Sequence, residues 1–63
     1  SATEHSRAAS EMILADAAAA LGDWNTALEH YRLAARQFEH EGRLRQALEA
    51  WRTATDASTL QNS

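Results

Sequence analysis

The side chains able to do chemistry in this chain are few: His5, His30, His40, nine carboxylates, six arginines and one tyrosine, with no cysteine and no lysine. A metal centre needs two or more convergent ligands. Glu39 and His40 are neighbours, and on a helix they point about 100° apart, so they do not converge. Arg32, Arg36 and His40 follow one another at four-residue steps, and His30 lies beside Tyr31 on the adjacent, outer side; all read as surface groups. No Ser–His–Asp order, phosphate-cradling glycine loop or carboxylate pair stands out. The expectation is therefore no catalytic residue, no metal, no cofactor and no enzyme. With six arginines against nine acids the formal charge is −3, which argues against a nucleic-acid partner, for which a basic footprint is expected.

The elements that would position these groups are helices. Fifteen alanines, no proline and only two glycines make a helix-forming composition. At 63 residues the chain is one small domain or a piece of a longer one, with a small core. Without cysteine no disulfide can staple it. The longest apolar run, 17–21, is far too short to span a bilayer. No signal peptide is visible, and a cytoplasmic location is expected.

The stretch LGDWNTALEHYRLA returns in pattern as EGRLRQALEAWRTA, 20 residues later. Gly22 falls on Gly42, Trp24 on Leu44, Ala27-Leu28-Glu29 on Ala47-Leu48-Glu49, Tyr31-Arg32 on Trp51-Arg52 and Ala34 on Ala54. In the first copy Asp23 is a good N-cap, and Trp24, Ala27, Leu28, Tyr31, Ala34, Ala35 and Phe38 form one helical face. This predicts a helix over about 24–41, ended by Gly42, with outer-side pairs Glu29–Arg32 and Arg36–Glu39. A third helix is predicted over about 43–57, with Leu44, Ala47, Leu48, Trp51 and Ala54 on its stripe and a weaker start, since no capping side chain precedes Leu44. The polar end, 58–63, reads as a disordered tail. Trp24, Leu28, Tyr31, Phe38, Leu48 and Trp51 are the expected main core.

The first helix, about 4–21, differs. Leu14, Ala17, Ala18 and Leu21 make one stripe, Ile13, Ala17 and Ala20 a second, and Met12, Ala15 and Ala19 a third; between Met12 and Leu21 only Asp16 is polar. A helix apolar nearly all round is normally covered on more than one side.

The turn Gly22-Asp23-Trp24, the small positions Ala27 and Ala34, the aromatic Tyr31 and the pair Leu14-Ala15 together resemble a tetratricopeptide (TPR) repeat, over about 10–41. The 20-residue offset departs from that family's 34-residue period, because one long helix serves both units. Similar long-helix arrays resemble soluble SNARE-attachment proteins and large bacterial transcription activators, and the three-helix form resembles the microtubule-interacting-and-trafficking domain. The resemblance implies an all-α, three-helix TPR-like antiparallel array or bundle, a single domain over 1–63, acting as a protein–protein interaction or scaffolding module. Its helical groove would bind a protein or peptide segment. The same pattern fits a docking or regulatory segment of a large multidomain enzyme or transcription activator. Met12 and Ile13 lie off the stripe that this register turns inward. Ala9, Met12, Ile13, Asp16 and Ala19 are accordingly the expected contact surface, for a neighbouring helix or for a second copy in a homodimer through the first helix.

Overall fold

A computed structural model describes residues 6–62, which form three helices: α1 (Arg7–Ala20), α2 (Trp24–His40) and α3 (Leu44–Gln61). The chain is all-α, and no strand occurs among the described residues. Adjacent helices pack on each other, α1 on α2 and α2 on α3, so α2 is the shared middle element.

Each helix starts and stops for a local reason. Ser6, extended at ψ 155°, caps α1 by accepting from the Ala9 amide at 3.0 Å. Asp23 accepts from the Thr26 amide at 3.3 Å and caps α2. Arg43 holds the equivalent place before α3 with nearly the same backbone but no side-chain cap. Both turns are built alike. Gly22 has φ +78° and Gly42 φ +77°. The Gly22 amide donates to Ala19 O and the Asp23 amide to Ala18 O, each at 2.9 Å. Twenty residues on, Gly42 donates to Glu39 O at 3.0 Å and Arg43 to Phe38 O at 2.9 Å. This pair of bonds is the glycine-ended stop that satisfies the last free carbonyls of a helix. The repeat seen in the letters is therefore a repeat in backbone geometry.

Two expectations about the elements change. Residues from Ser58 onward continue α3 through Gln61 rather than forming a loose tail. The Gln61 side chain donates to Asn25 Oδ1 at 2.9 Å, tying that last turn to the start of α2. The outer pairs Glu29–Arg32 and Arg36–Glu39 are not among the ion pairs of the described residues. Glu39 instead accepts from Trp51 Nε1 of α3 at 2.8 Å.

The core is made of alanine seams with a few large side chains between them. One cluster joins Ala15 and Ala18 of α1, Ala27, Leu28 and Tyr31 of α2, and Ala54 and Ala57 of α3. The other joins Ala8, Ala34, Ala35, Phe38, Ala47 and Ala50. Alanine lets helix axes approach closely, and the aromatic rings fill the space beside the contact. Of the expected core, Leu28, Tyr31 and Phe38 are buried, and Trp24 and Trp51 are half-buried against it. Leu48 is a correction: it is 59% exposed.

Candidate interaction surface

The flanking helices are packed in an unusual sense. The buried residues of α1 are Ala8, Ala15 and Ala18, and those of α3 are Ala47, Ala50, Ala54 and Ala57. Their branched side chains lie outside: Ile13 and Leu14 on α1 with Leu21 at its C-cap, and Leu44, Leu48 and Leu60 on α3. Only α2 buries large residues, because it alone has a helix on each side. A fully buried Leu is worth roughly 2–3 kcal/mol over an exposed one, so these positions hold unused burial energy.

The predicted contact surface on α1 is divided by this arrangement. Ile13 stands out at 64% exposure. Met12 packs inward against both core clusters, and Ala19 against the first. Ala9 is half-buried. Asp16 is exposed, yet its carboxylate accepts from the Tyr31 hydroxyl at 2.6 Å and so belongs to the α1–α2 contact. The outward apolar face is instead Ile13, Leu14, Ala17, Ala20 and Leu21. The sequence of α1 offers three apolar stripes, and their letters alone do not say which one faces α2. The signal nearest to the outcome is the spacing of Ala8, Ala15 and Ala18 at seven and three residues, a continuous helical stripe of the smallest apolar side chain.

Polar ties link the helices in pairs. His30 Nδ1 lies 2.6 Å from Glu11 Oε1, joining α2 to α1; the carboxylate accepts, so the ring nitrogen donates. Tyr31–Asp16 makes the second α1–α2 tie, and Trp51–Glu39 and Gln61–Asn25 hold α3 to α2. Arg43 stacks over the Phe38 ring at 5.0 Å and donates to Glu41 at 3.3 Å and to Ser6 Oγ at 3.4 Å. Its reach to Ser6 ties the caps of α1 and α3 together. Burial, with the Asp16 hydrogen bond and charge adding to it, pushes the Tyr31 hydroxyl up to about 12. His40 is exposed, and His5 lies outside the described residues.

Among the described residues no group of three His, Cys, Asp or Glu is placed to hold a metal ion, and no helix is long and apolar enough to cross a membrane. No family model, no curated protein and no solved structure matches the chain. The arrangement of the exposed apolar side chains therefore carries the functional reading.

Proposed function

We propose that this chain is a TPR-like helical-repeat module for protein–protein interaction, and that the outer face of α3 receives a further helix of the same alanine-rich type. One comparison carries the reading. Leu28 and Leu48 hold the same repeat position, 20 residues apart. Leu28 is 7% exposed, in the cluster that contains Ala54 and Ala57 of α3. Leu48 is 59% exposed, with no such helix against it. Translating the repeat by one unit would lay a helix over Leu48 as α3 is laid over Leu28. In repeat arrays each unit buries its apolar face on the next.

The test is an extension. A second copy of residues 43–62, fused after Asn62, should raise the melting temperature and move the transition to higher denaturant. It should bury Leu48, read as protection of a Cys placed there from a thiol reagent. An extended chain that melts with the parent and leaves that position fully reactive would count against the reading.

Ile13, Leu14 and Leu21, at 64%, 52% and 85% exposure, favour a second mode, a homodimer through α1. Sedimentation of wild type beside Ile13→Glu decides it. The wild type should associate with rising concentration and the variant should not; a wild type that stays monomeric removes this mode and leaves the α3 reading standing.

A further inference from the structure

The outer side of α2 carries three shallow hollows that run into one another. The first, about 220 Å³, lies where α1 meets α2 and is lined by Arg7, Leu33 and Arg36 among others. The second, about 350 Å³, continues across α2 past Leu33, Arg36 and Arg32. The third, about 300 Å³, runs from Arg32 to Trp51 and Thr55 of α3. Shared residues join each hollow to the next, so the three form one track across the molecule.

The charge of this track opposes that of the chain. The protein carries a formal −3, yet three of its six arginines line the track. Arg7, Arg32 and Arg36 are exposed, and none makes an ion pair or side-chain hydrogen bond among the described residues. Two carboxylates border the track: Glu11, engaged by His30, and Glu29. Elsewhere four acids are occupied structurally, Asp16 on Tyr31, Asp23 as a cap, Glu39 on Trp51 and Glu41 on Arg43, while the Glu49 and Asp56 carboxylates have no partner among the described residues. Of the six arginines only Arg43 is engaged among the described residues, and of the five without partners these three stand in one row. In the middle of the row sits Leu33, 41% exposed.

We infer that this track binds an acidic peptide segment, with carboxylates on Arg7, Arg32 and Arg36 and an apolar side chain on Leu33. Guanidinium groups match carboxylates in a forked, two-bond geometry. Arg32 and Arg36 are one helical turn apart, about 6 Å along the axis, a spacing that successive carboxylates of a peptide can meet. A short acidic segment feels only charges within a Debye length of about 8–10 Å, where the arginines dominate. A long polyanion such as RNA also meets the field of the whole acidic molecule, which repels it. The third hollow, at Trp51 and Thr55, borders the face of α3 that would receive the further helix, but the anchors Arg32, Leu33 and Arg36 lie on α2; charge reversal at Arg32 and Arg36 therefore tests the peptide, and protection of position 48 tests the helix docking.

The experiment uses a short fluorescein-labelled peptide of repeating Glu-Glu-Leu triplets, followed by anisotropy from about 0.1 M salt upward, where the Debye length is about 10 Å or less. Binding should weaken as salt rises. Arg32→Glu with Arg36→Glu should weaken it at least about tenfold, the scale set by two exposed charge pairs turned repulsive. Arg45→Glu with Arg52→Glu, on exposed positions outside the track, should change it less than about twofold. Circular dichroism confirms that each variant is folded; if the reversal unfolds the chain, Arg32→Gln with Arg36→Gln carries the test. The inference is overturned if the first pair of changes leaves binding as it was, or if both pairs weaken it equally. It is also overturned if single-stranded RNA or phosphatidylserine vesicles bind through the same arginines more tightly than the peptide does.

Discussion

Tyr31 is the residue at which packing, hydrogen bonding and charge meet. It is 4% exposed, its ring lies among the alanines of all three helices, and its hydroxyl donates to Asp16. Because the folded state holds that hydroxyl up to about 12 against an ordinary 10.0, it favours the neutral form. The sign follows. The stabilisation is fully present below pH 10 and is lost as pH rises through about 12. The stability of the wild type should fall across this window, and Tyr31→Phe should flatten the fall. At neutral pH Tyr31→Phe should cost about 1 kcal/mol, the net worth of one hydrogen bond. Equal slopes for both proteins in urea melts between pH 10 and 12 would show that Tyr31 is not what titrates. The tyrosine's place in the core was legible from its helical spacing, but its bond to Asp16 was not. That bond depends on how α1 is rotated against α2, and the letters of α1 allowed three stripes.

At the scale of the element, the turns were the most readable part of the chain. Gly22 and Gly42 sit at matching letters and take matching positive φ angles. A Cβ added at either would meet nothing within 4 Å, so any penalty there comes from the backbone alone. Val at φ near +78° is sterically disfavoured, while Asn tolerates that region. Gly22→Val and Gly42→Val should each cost more than about 1 kcal/mol, and the Asn versions distinctly less. Thermal melts of the four variants check this, and a Val variant as stable as its Asn counterpart would contradict it. The end of α3 was less legible. Ser58, Thr59, Gln61 and Asn62 are polar, and polarity near a terminus reads as a tail. The helix persists because Ala57 is buried in the cluster with Ala27, Leu28 and Tyr31 of α2 and Gln61 reaches Asn25, 36 residues away in sequence.

At the scale of the whole molecule, a repeat in sequence is not a repeat in burial. Ala27 and Ala47 are both buried, as are Ala34 and Ala54, but Leu28 and Leu48 part company. Periodicity alone could not separate the two leucines, since each lies on the apolar stripe of its own helix; only the position of the helix within the array does so. Leu28→Ala should therefore destabilise by roughly 2–5 kcal/mol, enough to threaten a domain this small, whereas Leu48→Ala should stay within about 0.5 kcal/mol. Chemical denaturation of both variants reads this directly, and equal losses would mean that Leu48 is covered in solution by something else. The alanine seam of α3 has one more property. Its residues 47, 50, 54 and 57 repeat after seven, so sliding the helix about 10.5 Å along its axis brings alanine back onto alanine. A smooth seam of methyl groups is a rail without teeth. What indexes α3 on that rail is the short link through Gly42, together with the Trp51–Glu39 and Gln61–Asn25 bonds acting as pins. Cut the link and remove the pins, and α3 supplied as a separate strand of chain would have more than one stopping place along the same groove.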